Sequence, residues 1–260
     1  MTPHLYRKYH GGSLSSDWHR LLALQSICDH VPGVRTARPR EIVPACQSVD
    51  YDYLDFPPGL LRFVDSDDVF VRLGQLLAQM HRTPVVLDTQ YLNPDPFPLE
   101  ELDISEHDVQ VLQRKIPPGW LHSDLWHGNV FFDRSDGFVI IDPLPARFLG
   151  PHGYILGNGA MDLASMHMGL IFCHSLCSQL LLDVDRLLRA GEVFINSYLQ
   201  EADVCVPGVL GAVLRLSRVM ALRFIESYAL RLSWPIAKLK YRMAEKTLAR
   251  VDERLDWSSK

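Results

Sequence analysis

No stretch of this sequence is apolar for long enough to read as a membrane helix. The richest, Ala160 to Leu182, is interrupted by Asp162, His167, His174 and several serines, which predicts buried core helices instead. The five cysteines are odd in number and show no C-x-x-C spacing. A disulfide framework and a zinc ribbon are therefore not expected, and a reducing compartment is the simpler setting. Positive charge is not in excess either. A net charge of −5 argues against nucleic acid or an anionic membrane as the main partner. Met1 to His10 carries charges and no apolar core, so no secretory signal is visible and the cytoplasm is the expected location. Internal repeats and low-complexity tracts are missing. What remains, 47% apolar and 22% charged residues in a chain of 260, is an ordinary globule with room for one large domain or two lobes.

The informative stretch is residues 120–142. An apolar pair, Trp120-Leu121, leads into His122-Ser123-Asp124-Leu125-Trp126-His127-Gly128-Asn129. A short apolar strand follows, then a polar turn and a second strand, Gly137 to Ile141, ending in Asp142. The pattern predicts a loop gripped by a β-hairpin, with Asp124, Asn129 and Asp142 aimed at one place. Phosphoryl transfer uses such a set: one carboxylate orients the acceptor hydroxyl, while an amide and a second carboxylate hold Mg²⁺ on the nucleotide phosphates. A rival reading takes His122, Asp124 and His127 as transition-metal ligands, but it leaves Asn129 and Asp142 unexplained.

This segment resembles the catalytic loop and metal-binding strand of the kinase-like small-molecule phosphotransferases, the aminoglycoside phosphotransferase and choline kinase superfamily. Its Asp-Leu-Trp-x-Gly-Asn and Ile-Asp-Pro wording is similar to that of fructosamine kinases. The resemblance implies that Asp124 is the catalytic base, that Asn129 and Asp142 bind the metal, and that His122 braces the loop. It also implies that Asp162, in Asp162-Leu163-Ala164, braces the loop backbone from a buried helix. Protein kinases usually carry Lys two residues after the base. Trp126 stands there in this chain, which disfavours a protein Ser/Thr substrate.

Upstream, His4 to Tyr9 reads as a strand closed by Gly11-Gly12, and Ser15-Ser16-Asp17 can cap a helix from about Trp18 to Cys28. In a kinase-like fold this pair carries the phosphate-binding lysine, so Lys8 is the candidate; an exposed strand lysine is the plain alternative. Two departures stand out. Only seven residues precede Lys8, so the strands and loop that normally cover the phosphates are missing from the sequence given. The helix also lacks a Glu to pair with that lysine, Asp17 being the nearby acid. A strand at Ser48 to Leu54 runs into Pro57-Pro58-Gly59 and resembles the hinge between lobes, which would bring Asp52, Tyr53 and Leu54 to the adenine edge.

Val69 to Met80 carries an apolar helical stripe and ends at His81, expected to be a packed, non-catalytic residue. A further helix is expected over Leu102 to Lys115, and later ones near Val184–Glu201, Val209–Ser233 and Ile236–Leu255, with Gly191 and Pro207 interrupting or separating them. Arg215, Arg218, Arg223 and Arg231 read as a solvated face. His167, Cys173, His174 and Cys177 could be metal ligands, although burial in a helical core is the better reading.

The resulting expectation is an α+β, protein-kinase-like two-lobed fold. A reduced N-terminal lobe of strands and one helix spans 1–54, and a helical C-terminal lobe spans 55–260. The expected activity is ATP- and Mg²⁺-dependent transfer of phosphate to a hydroxyl or amine of a small molecule, such as an aminoglycoside, amino-alcohol, sugar or ketosamine. The alternative is a catalytically silent pseudokinase acting as a binding or scaffold protein.

Overall fold

The computed structural model describes residues 5–10, 13–52, 54–85, 95–143, 155–172, 183–204, 208–229, 246–253 and 255. Its N-terminal part is a three-stranded antiparallel sheet in the order β1 (Leu5–Tyr9), β4 (Ser48–Asp52), β3 (Pro39–Val43). Helix α1 (Leu14–His30) packs on this sheet, setting Leu21 against Val49 and Tyr51. The helix begins earlier than the sequence suggests. Ser13 is its cap, with its side chain accepting from the Ser16 N–H, and Ser15, Ser16 and Asp17 lie inside the first turn. One free hydroxyl upstream was enough to move the start.

After α1 the chain turns through Gly33 (φ +83°) into β2 (Val34–Arg35), which pairs in parallel with β7 (Gly137–Ile140). Strand β7 is the second arm of the expected hairpin, antiparallel to β6 (Val130–Asp133). The contact between α1's exit and this hairpin is backbone on backbone. The Phe138 N–H donates to the Gly33 carbonyl at 2.8 Å, and any Cβ on Gly137 (φ +87°) would collide with that carbonyl oxygen. A side chain there would push the two apart.

The C-terminal part is helical: α2 (Asp67–Arg82), α3 (Glu106–Lys115), α4 (Ala160–Phe172), α5 (Val184–Glu201) and α6 (Val209–Ala229), with residues 246–253 also helical. Helix α3 starts later than expected because Leu99–Glu101 forms a separate 3₁₀ turn before it. Helix α4 is buried along its described length, which accounts for its apolar sequence. Gly191 does not interrupt α5. It sits mid-helix, where a Cβ would come within 2.5 Å of the His167 ring of α4, so it is a packing glycine. Gly74 does the same between α2 and α5, a Cβ there falling 2.8 Å from the Tyr198 backbone nitrogen.

The arginines of α6 are not a free solvated face. Arg215 forms a two-pronged pair with buried Asp108 at 2.8 and 2.6 Å, tying α6 to α3. Arg218 donates to Asp252 and Arg223 to the Glu101 carbonyl, while Arg231 lies outside the described residues. A short sheet of β5 (Pro118–Trp120) and β8 (Leu156–Asn158) brackets the loop that follows β5. No helix among the described residues is long and apolar enough to cross a membrane.

Candidate active site

The loop between β5 and β6 is held from below by one carboxylate. Asp162, in the first turn of α4 and fully buried, accepts the His122 N–H at 2.7 Å and the Ser123 N–H at 2.9 Å. It also meets His81 Nε2 at 3.1 Å, and His81 Nδ1 is 2.9 Å from the Tyr198 hydroxyl. The start of α4 is fixed in turn by Asn158. Its Oδ1 accepts the Ala160 N–H, and its amide donates to the Leu112 and Ile116 carbonyls at the end of α3. A buried carboxylate is stable only with such donors around it.

His122, wholly buried, donates from Nε2 to the Ile141 carbonyl at 2.8 Å, so it ties the loop to the end of β7. Burial is the main reason its pKa falls below the ordinary value, and the ring is therefore neutral. Two residues flanking these ties adopt left-handed backbone, Ser123 (φ +67°) and Asp142 (φ +58°). Non-glycine residues hold that conformation where surrounding bonds over-determine it, and such places cluster at functional sites.

Asp124 and Asn129 meet across the loop: the Asn129 amide donates to the Asp124 carbonyl at 2.9 Å and to its carboxylate at 3.2 Å. Burial pushes the Asp124 carboxyl up to about 7, against the bond from Asn129, and the neighbouring Asp142 adds to the rise. Asp142 lies at the end of β7 in contact with Lys8 Nζ, and both side chains are about a quarter exposed, at 23% and 28%. Thus Lys8, Asp124, Asn129 and Asp142 share one place. Lys8 reaches it because strand alternation sets Lys8, Val49 and Tyr51 on the face turned to α1.

Other expected residues go elsewhere. Asp17 does not pair with Lys8; it meets His10 Nδ1 at 3.1 Å, and His10 Nε2 is 2.9 Å from the Tyr51 hydroxyl, all three being buried. Asp52 alternates onto the other face with Arg7 and Asp50, and its carboxylate is taken by Arg40. With Leu54 it borders a cavity of about 190 Å³ lined also by Cys28, Asp29 and Arg38, and by none of the four clustered residues. Tyr53 lies outside the described residues. Trp126 packs its ring on Gly128 and its Cβ against Gly169 of α4.

The donor set bears on the metal. Asn129 and Asp142 offer hard oxygen atoms and are only two in number, a donor set that fits Mg²⁺, an ion seldom caged by protein alone and usually completed by water and phosphate. Among the described residues no group of three His, Cys, Asp or Glu could hold a metal, which removes the reading built on His122, Asp124 and His127. Cys173, His174 and Cys177 lie outside the described residues; His167 Nδ1 is bonded to Ser217 at 2.7 Å. Sequence reasoning missed the Asp17–His10–Tyr51 chain and buried Arg20 of α1, whose signal, polar residues on a helix's inward face, is faint without the sheet's register.

No protein-family model matches the sequence, and no curated protein does. Solved structures match over nearly the whole chain. A choline kinase from Cryptosporidium parvum Iowa II shares 12% identity at a TM-score of 0.59, covering 96% of this chain and 80% of that one. The microcompartment-associated aminopropanol kinase shares 15% at 0.58, covering 98% and 86%. A choline/ethanolamine kinase family protein from Mesorhizobium loti shares 13% at 0.56, covering 96% and 81%. At these identities the likeness speaks for the fold alone, which is kinase-like: α+β, with a small N-terminal sheet and a helical C-terminal part.

Proposed function

We propose that this chain is a small-molecule kinase that moves the γ-phosphate of ATP to a hydroxyl, or an amine, of an amino-alcohol, sugar, ketosamine or aminoglycoside. The observation that carries this reading is Asp124, a partly buried carboxyl held near pH 7 beside the Asn129–Asp142 oxygen pair and Lys8. A base poised near the working pH both exists as carboxylate and accepts a proton readily. Asp124 takes the proton of the acceptor hydroxyl as its oxygen bonds to the γ-phosphorus; the bond to the bridging oxygen breaks and ADP leaves. Asn129 orients that carboxylate through its amide and presents its own oxygen, with Asp142, to the metal. Mg²⁺, when bound, would neutralise charge on the phosphates. Lys8 steadies the phosphates once they draw it from Asp142. The soluble cytoplasm suits such substrates.

Small-molecule acceptors are supported by Trp126, whose apolar ring stands where a protein kinase would offer a lysine, and by the acceptors in the names of the matched kinases. The silent-pseudokinase reading has one observation in its favour, the Lys8–Asp142 contact that closes the metal carboxylate in the free protein. A screen of choline, ethanolamine, aminopropanol, fructosamines and aminoglycosides with labelled Mg·ATP separates the two. One acceptor phosphorylated, with generic peptides left untouched, is the expected result. Transfer to a Ser/Thr protein with no small acceptor found would reverse it, and no turnover despite nucleotide binding would favour the pseudokinase.

A further inference from the structure

A side-chain bond on the N-terminal sheet crosses one of the sheet's own rungs. On the face turned to α1, Tyr6 and Lys8 of β1 stand opposite Tyr51 and Val49 of β4. His10 follows one rung further on, its N–H bonded to the Gln47 carbonyl at 2.8 Å. The His10 ring reaches back over the middle rung. Its Nε2 lies 2.9 Å from the Tyr51 hydroxyl, and the two rings stack at 26° with centroids 6.3 Å apart. Its Nδ1 lies 3.1 Å from Oδ2 of Asp17, in the first turn of α1. A carboxylate only accepts, so Nδ1 donates to Asp17, and in the neutral ring Nε2 accepts the Tyr51 O–H.

The rung that this bridge crosses is Lys8 with Val49. Val49 is wholly buried, while the Lys8 side chain keeps 28% of its surface. The stem of Lys8 stands between Tyr6 and His10 along its strand, and the His10–Tyr51 bridge closes the way toward α1. Its ammonium is left to meet Asp142. Burial holds the Tyr51 hydroxyl well above its ordinary pKa and Asp142 adds to the rise, so the phenol stays a donor. Leu21 and Val49 already make an apolar seam between helix and sheet. Three polar side chains buried beside them add no more cohesion than apolar ones would. What a fully bonded chain adds is a fixed geometry.

We propose that Asp17, His10 and Tyr51 are positioning residues for Lys8, a bonded chain that walls in its stem and fixes the line along which its ammonium passes from Asp142 to the phosphates of a nucleotide. This rests on the phosphate role of Lys8 argued above. All three are buried, touch no substrate and move no proton in the reaction. They act on binding, through Lys8 alone.

The test is a double-mutant cycle on the full chain, with Mg·ATP and inorganic triphosphate as calorimetric probes, read well below each variant's Tm. Tyr51→Phe keeps the ring and removes only the hydroxyl at the end of the chain. It should weaken both probes about 3- to 30-fold, the range of couplings between residues that share one network. In a Lys8→Met background the same change should alter affinity less than about twofold, because the lysine it positions is gone. A merely structural role would weaken binding equally in both backgrounds, and that result overturns the proposal. Unchanged affinity in Tyr51→Phe overturns it as well. If Tyr51→Phe does not fold, His10→Asn decides by the same two criteria, since it keeps a donor for Asp17 and cuts the link to Tyr51. Failure is separable from failure of the kinase reading. Lys8-dependent loss of triphosphate in a protein that binds no ATP supports the chain and sinks the nucleotide. Mg·ATP binding that Tyr51→Phe leaves unchanged does the reverse, and a wild type that binds neither probe overturns both.

Discussion

Asp124→Asn tests the site through two independent quantities. The replacement is isosteric and can still offer an oxygen to the Asn129 amide, so the fold is expected to survive. In the wild type the carboxyl is held at about 7 instead of its ordinary 3.8, chiefly by burial. Between those values the native state holds a proton that the unfolded chain releases, so stability falls as pH rises through that window. Three pH units correspond to about 4 kcal/mol as an upper bound, and partial exposure to water reduces this to about 1–3 kcal/mol. At about 2–4 °C per kcal/mol for a chain of this size, Asp124→Asn should raise Tm by several degrees at pH 8. Below about pH 3, where both states are protonated, the two proteins should melt together.

Kinetics supply the second quantity. A positioned base matters in the transition state more than in nucleotide binding, so kcat should fall about 10²- to 10⁴-fold while ATP affinity stays nearly constant. The wild-type rate should rise with pH through about 7 as the base ionises. Two results would refute the reasoning. A Tm difference independent of pH would show that Asp124 does not titrate high, and an equal rate of ATP turnover in the variant would show that it is not the base.

Two further outcomes follow from neighbouring geometry. Asp142→Ala should abolish the Mg²⁺ dependence of nucleotide affinity and leave Lys8, already partly exposed, free in solvent with little loss of stability; unchanged Mg·ATP affinity by calorimetry would remove Asp142 from the metal site. Gly74→Ala, at a mid-helix position where alanine should add about 1 kcal/mol, should instead lower Tm, since its Cβ meets the backbone of Phe194 and Tyr198, and overpacking costs about 1–3 kcal/mol.

The loop of Asp124 and Asn129 was legible as local structure because its signals are local. Apolar strands on either side of a polar turn dictate a hairpin, and the spacing from Asp124 to Asn129 puts an amide within reach of a carboxylate five residues away. His81 was legible as a packed residue from its place at the end of an apolar stripe, though not its bridge from Tyr198 to Asp162, which joins positions 117 and 81 residues apart. The hinge expectation rests on backbone groups near Asp52–Leu54; the side-chain face of that strand is decided separately, by its register. Pairing Lys8 with Val49 sends Asp52 away from Lys8, and nothing within Ser48–Asp52 announces that register. The start of α1 was missed for a different reason: four candidate caps stand within five residues, and only the packing of Leu21 and Leu24 selects among them.

The two halves of the site are built by different means. Asp124 and Asn129 inherit their positions from helices, because Asp162 collects the loop's N–H groups and His81 while Asn158 locks the start of α4 to α3. Lys8 belongs to a small sheet packed by one helix, whose register against the loop needs a separate anchor. That anchor is the parallel pairing of β2 with β7, closed by the Gly33 carbonyl at Phe138. Asp142 lies two residues beyond β7, so the strand that orients Asp142 also receives the end of α1. The distance between Lys8 and the loop of Asp124 and Asn129 is therefore set across two glycines, and a side chain at Gly137 would act on Lys8 without touching it.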